Sequence, residues 1–246
     1  MCDTKSHRGL NANTIKWLAY VAMLFDHLAY VFLPKASLLY TLLRMLGRIA
    51  APTMCFFIAE GYAHTSNLRK YLGRLAIMAV VSHVPYTLCF GYSRIWQVWR
   101  VTSVIWSLLM GLVALVIVDR FTWKGHPILT WGVRLALVGI CCILSYSADW
   151  NYIAVLWVVA FGVLRGSKGR QIVAFGFGAA VYLAQTYANG LLLGLYFPIG
   201  VVLFLPLLLL YNGTLGKKSA VLKWAGYWFY PVHMLVIYLL VIFLRG

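Results

Sequence analysis

The chain is a succession of apolar runs, and no other feature constrains its fold as strongly. Nine of them, at roughly 15–33, 38–62, 71–91, 102–119, 127–145, 149–165, 171–188, 192–211 and 221–243, reach or approach the length that crosses about 30 Å of hydrocarbon. A lone segment in lipid satisfies its own backbone only as an α-helix. The pattern therefore predicts an all-α, polytopic membrane bundle of about nine transmembrane helices, forming a single integral domain over residues 1–246. The chain is 63% apolar, where a soluble domain is nearer half. The run at 149–165 is short, and the narrow gap at 188–192 predicts a tight hairpin. The first run continues into more of the same, unlike a cleaved leader.

Charge sets the orientation. If the spans alternate, one side collects Lys5, Arg8, Lys16, Arg69, Lys70, Arg74, Arg120, Lys124, Arg165, Lys168, Arg170, Lys217, Lys218 and Lys223, and the other only Lys35, Arg94, Arg100 and Arg245. Basic residues gather in cytoplasmic loops, so the N-terminus is predicted to be cytoplasmic and the C-terminus outside. The same rule, with anionic lipid headgroups, accounts for a net charge of +16 without a nucleic-acid partner. Trp96, Trp99 and Trp106 on one side, and Trp123, Trp131, Trp224 and Trp228 on the other, read as interfacial anchors. The five cysteines, Cys2, Cys55, Cys89, Cys141 and Cys142, have no zinc-like spacing, and no metal is expected.

The polar residues inside the runs carry the chemistry. Only five acids exist. Asp3 lies in the tail and Asp119 at a helix end beside Arg120, whereas Asp26, Glu60 and Asp149 lie in or at the edge of spans, as do Arg44, Arg48 and Arg134. A charge at mid-bilayer costs about 2.5–3.5 kcal/mol even on a lenient scale, so such residues face a protein interior or a wet cavity. Three acids against three arginines suggest internal pairing, with buried ion pairs between helices as the structural alternative to a functional site.

Counting residues brings several to one depth. Asp26 and His27 lie about 16–18 Å along the first span at 1.5 Å per residue. Arg44 and Arg48, one turn apart on one face, enter the second span from the other side to a similar depth. The last span carries "YWFYPVHML", with Tyr230 and His233 on one face and Pro231 between them. Two histidines, an acid and two arginines thus converge near the membrane centre. Neighbours on a helix diverge by about 100°, so Asp26 and His27 are not a simple dyad: His27 is expected to face the site while Asp26 pairs with Arg44 or Arg48.

The stretches "IKWLAYVAMLFDHLAYVF" and "LLRMLGRIAAPTMCFFIAEGYAHTSNLRKYLGRLAIMAVVSHVPY" resemble the TraX family of bacterial membrane proteins, typified by the F-pilin acetylase. The family pattern falls at Asp26–His27, Arg44…Gly47–Arg48…Pro52, Glu60–Gly61…His64–Thr65, Tyr71…Arg74, Pro85–Tyr86 and Tyr230–Pro231…His233. The match is dense over 15–119 and thin from 120 to 220 apart from Asp149. His83 and "TSVIWSLLMG" depart from the family's Glu and Asn at those places.

The resemblance implies a multi-pass protein of the bacterial cytoplasmic (inner) membrane that moves an acetyl group from cytosolic acetyl-CoA to a peptide N-terminus, as in conjugative pilin, or to a glycan amine or hydroxyl. Such transfer needs a base, donors to the developing oxyanion, and a held thioester. On that reading His27 is the first candidate base or acetyl carrier, with Asp26 and His233 beside it. Arg44, Arg48, Tyr230, Glu60 and Asp149 are substrate-binding candidates. Arg69, Lys70, Arg74 and His64 are candidates to hold the coenzyme. A transporter or flippase using the interior charges, or a non-catalytic partner of a pilus or secretion assembly, are the competing classes.

Overall fold

The computed structural model describes residues 9–90, 100–190 and 196–245. Among these every regular element is a helix: α1 (Ala12–Phe32), α2 (Leu38–Gly47), α3 (Ala50–His64), α4 (Leu68–Cys89), α5 (Val104–Arg120), α6 (Pro127–Leu144), α7 (Asn151–Val163), α8 (Lys168–Ala188), α9 (Tyr196–Val201), α10 (Phe204–Leu210) and α11 (Ala220–Arg245). Trp96, Trp99, Arg94, the tail residues Cys2, Asp3, Lys5 and Arg8, and the part of the expected 188–192 hairpin beyond Gly190 lie outside the described residues.

Among the described residues five helical stretches are long and apolar enough to cross a membrane: Ala12–Phe32, Leu38–His64, Leu68–Cys89, Pro127–Leu144 and Ala220–Leu244. Asn151–Val163 and Pro198–Leu210 are apolar but shorter. The outward faces are apolar, as on Ile77 and Val80 of α4, Ile128, Leu135 and Ile143 of α6, and Leu239 and Phe243 of α11. Exposed apolar surface on this scale is the mark of a lipid-facing protein.

Short α7 lies at the centre of the bundle rather than at its rim. Ala154, Val155, Trp157 and Val158 are wholly buried against α3, α5 and α8. Small residues permit the close approach of α5 and α7: a Cβ added at Gly162 would fall 2.3 Å from Leu115.

The expected helix over 38–62 is continuous in direction but not in winding. At Arg48 and Ile49 the backbone switches to i→i−3 hydrogen bonds, from Arg48 N to Met45 O (3.1 Å) and from Ile49 N to Leu46 O (3.2 Å). This tightened turn separates α2 from α3 and sets the Gly47 backbone and the Arg48 side chain against α1. The expected run at 192–211 is likewise divided, by a turn at Val202 and Leu203.

Candidate active site

Two clusters meet inside the bundle. The first joins α1 to α2. Arg44 Nη1 donates to Asp26 Oδ2 at 2.7 Å, and Arg48 Nη2 stands 3.9 Å from Asp26 Oδ1. The Arg48 guanidinium also lies over the Trp150 ring, at 5.5 Å. Gly47 makes the arrangement possible, because an added Cβ would fall 2.2 Å from Asp26 Cβ and 2.5 Å from its Cγ. The acid thus reaches α2 between two arginines one turn apart.

The second cluster joins α1 to α11. His27 Nδ1 and His233 Nε2 are 2.8 Å apart, with the rings nearly parallel. His233 Nδ1 lies 2.7 Å from the Phe229 carbonyl oxygen. The network assigns the tautomers. A carbonyl only accepts, so His233 Nδ1 carries a proton, and a neutral His233 then offers a lone pair at Nε2. His27 Nδ1–H must donate to it, which leaves the His27 Nε2 lone pair facing outward from the pair. No hydrogen bond to that nitrogen is found among the described residues. This is the arrangement of a base held in one tautomer by a second group. Both histidines are buried, and Phe90 and Tyr230 close edge-on against the His27 ring.

The start of α5 completes the locus. Thr102 N donates to Ser147 O (2.8 Å) and Asp149 N to Thr102 O (3.2 Å), which pins the α6–α7 loop beside that helix end. Asp149 is thereby brought within electrostatic reach of Arg48, Arg44 and Tyr230. Asn151, the first residue of α7, holds a positive φ of 33°, so the loop turns sharply just after Asp149. Two hydroxyls are buried here: Ser103 Oγ has no hydrogen-bond partner among the described residues, and Tyr230 Oη faces the Val104 amide at the positive end of α5.

Of the sequence candidates, Asp26, His27, Arg44, Arg48, Asp149, Tyr230 and His233 therefore share one place. The others do not. Glu60 pairs with Arg165 (3.3 Å) and lies 3.9 Å from His64, at the opposite end of α3. Arg69 and Lys70 are exposed on the first turn of α4, while Arg74 Nε donates to Tyr227 Oη at 3.3 Å. The expected pairing of three acids with three arginines holds only in part: Asp26 takes Arg44 with Arg48 nearby, Glu60 takes Arg165, no ion pair to Asp149 is found among the described residues, and Arg134 instead donates to the Phe121 carbonyl (2.8 Å) and lies over Trp131. Arg134 sits on α6, which packs against α5 and α7, and it makes no ion pair among the described residues. Ser103 was not singled out by sequence reasoning. Its signal was the polar pair Thr102–Ser103 opening an apolar run, the ordinary mark of a helix start.

The chain matches, over residues 11–241, the family model described as TraX protein. It is also 29% identical over 234 residues to a protein of Dichelobacter nodosus described as "Probable fimbrial assembly protein FimC, serogroup H1", the alignment covering 91% of this chain and 93% of that protein. No solved structure matches it.

Proposed function

The chain belongs to the TraX family, and on that premise we propose that it is a membrane-embedded acetyltransferase, taking acetyl groups from cytosolic acetyl-CoA to an amine or hydroxyl acceptor in the bacterial inner membrane. The observation that carries this reading is the buried histidine pair, in which His233 fixes the tautomer of His27 and leaves His27 Nε2 as an open base.

In the proposed step the acceptor nitrogen or oxygen attacks the thioester carbonyl and its proton passes to His27 Nε2. The C–S bond breaks as the tetrahedral intermediate collapses, and the leaving sulfur takes up a proton to depart as a thiol. The charge developing on the carbonyl oxygen needs donors already in place. Tyr230 Oη, facing the Val104 amide, and Ser103 Oγ, without a partner among the described residues, are buried at the positive end of α5 and suit that task. Asp26 orients Arg44 and Arg48 and offsets part of their charge. Nine spans with a cytoplasmic N-terminus would set this centre near mid-membrane, with the donor entering from the inner face.

The relative's description as a fimbrial assembly protein supports a second reading, in which the chain serves a pilus machine as a non-catalytic partner. It also fits the first, if the acceptor is a pilin N-terminus. Purified full-length protein incubated with acetyl-CoA and a panel of amine and hydroxyl acceptors decides between them. Thiol release that depends on an acceptor and on His27 supports transfer. Absence of turnover with every acceptor, including pilin peptides, sinks it in favour of the partner role.

A further inference from the structure

A cleft of about 570 Å³ opens between the first turns of α1, α4 and α11, at the end of the bundle away from Asp149. Among the described residues four lysines line it, Lys16, Lys217, Lys218 and Lys223, and no acidic residue does. Lys16 is half-buried there, and its Nζ lies 4.8 Å above the Phe57 ring with no carboxylate within ion-pair distance among the described residues. A cation half-withdrawn from water beside only a ring face is poorly compensated, and an anion is the partner it lacks.

The lysines are held, not merely exposed. Ala12 N donates to Thr214 O (2.8 Å), Asn13 N to Leu215 O (3.3 Å) and Asn13 Nδ2 to Lys217 O (2.9 Å), so the α10–α11 loop is tied to the start of α1. Ser219 Oγ accepts from Leu222 N, which caps α11 and adds that helix's positive end to the rim.

The walls are aromatic. Trp17 and Tyr20 face the cleft, and Tyr20 stacks on Phe229 (5.0 Å between ring centres), which stacks on His233 (4.8 Å). A column of rings thus leads from the lysines to the histidine pair. Lys16 and His27 are eleven positions apart on one helix, a rise of about 16 Å. A small acyl phosphate anchored at the lysines leaves its acyl carbon far short of His27, whereas a thioester on a long arm spans the distance.

We propose that this lysine-rimmed cleft binds the phosphates of a soluble, nucleotide-type acyl donor, whose arm runs along the Trp17–Tyr20–Phe229 column toward His27. The proposal rests on the transferase reading for its direction but not for its test. Phospholipid headgroups share the same phosphate chemistry, and the experiment separates them.

The full chain is purified in a neutral detergent, and coenzyme A binding is measured by titration calorimetry at low and moderate salt. Lys16→Gln/Lys223→Gln is expected to weaken binding at least tenfold and to flatten its salt dependence, with an unchanged melting temperature of the free protein. Lys217→Gln/Lys218→Gln provides the same test should the first variant fold poorly. Inorganic phosphate should compete only weakly. The proposal is overturned if Arg69→Gln/Lys70→Gln abolishes binding while the lysine variants retain it. It is also overturned if phosphatidylglycerol in nanodiscs gives a lysine-dependent stabilisation that coenzyme A does not. Tight, lysine-dependent binding without any acetyl transfer by the unaltered chain would defeat the transferase reading and leave the cleft assignment standing.

Discussion

Two parts of the molecule combine an acid, an arginine and a histidine, and they do so in opposite surroundings. Between α1 and α2, Asp26 and Arg44 meet at 2.7 Å with side chains only 10% and 16% exposed, next to buried His27. At the far end of α3, Glu60 lies 3.3 Å from Arg165, which is 43% exposed, and 3.9 Å from His64, which is 64% exposed. Residue types alone make these sites look alike. Water separates them. Glu60 itself is only 17% exposed, but both of its partners are solvated whether or not they touch it, so the pair is screened from their side and worth about 0–1 kcal/mol. In the buried pair neither charge can return to water if its partner is lost, so breaking it costs about 3–5 kcal/mol. Chemistry follows burial too. A buried histidine with one fixed tautomer presents a defined base, while an exposed one is free to be solvated and protonated on either nitrogen.

The largest effect expected from this contrast is on turnover. His27→Ala should lower acetyl transfer by about 10²–10⁴-fold, the usual loss on removing a general base, in a protein that still folds although the buried partner of His233 is gone. His233→Ala should lower it less, because the base remains and only its orientation is lost. His126→Ala, an exposed histidine at the start of α6, should change nothing. Rates measured side by side on the three proteins test the ranking, and equal losses at His27 and His126 would remove the buried pair from the mechanism.

Next in size is the buried ion pair itself. Asp26→Asn leaves two arginines beside a neutral amide and should cost about 3–5 kcal/mol, a fall of roughly 6–20 °C in melting temperature for a chain of this length. Gly47→Ala attacks the same contact from the other side. Its new methyl group would fall 2.2 Å from Asp26 Cβ, and overpacking of this kind costs about 1–3 kcal/mol. A Gly47→Ala protein as stable as the parent would mean that α1 and α2 separate easily, and the tight seat of Asp26 would lose its importance.

The smallest effect belongs to the exposed site. Glu60→Gln should shift stability by no more than about 1 kcal/mol, and added salt should abolish even that. Thermal melts of Asp26→Asn and Glu60→Gln at two ionic strengths compare the regions directly. If both variants melt alike, burial is not what distinguishes them.

Much of this was legible from residue order. The runs expected at 71–91, 127–145 and 221–243 correspond to Leu68–Cys89, Pro127–Leu144 and Ala220–Arg245. Depth was legible as well, because 1.5 Å per residue carries Asp26, Arg44 and His233 to similar levels whatever their neighbours do. The tightened turn at Arg48 was not, since apolar periodicity runs through it and only the contact with Asp26 reveals its purpose. Nor was the exchange of Arg134 for Arg165, because two arginines in or near spans look equivalent until helix neighbours are known. Ser103 was hidden for a different reason: a serine before an apolar run ordinarily caps its helix, and here the hydroxyl makes no such bond.

By itself the sequence determined that this chain is helical and apolar on its outside, since backbone groups facing lipid can be satisfied only within their own segment. It also determined which few polar residues lie deep. Only the tertiary structure decided what those residues meet. His27 and His233 are 206 positions apart and share one hydrogen bond; Asn13 and Lys217, 204 apart, share another. Helix formation is local and is written in neighbouring residues. Tautomer, ion-pair partner and the gathering of four lysines around one cleft depend on which helices lie side by side, and that is set by packing across the whole bundle.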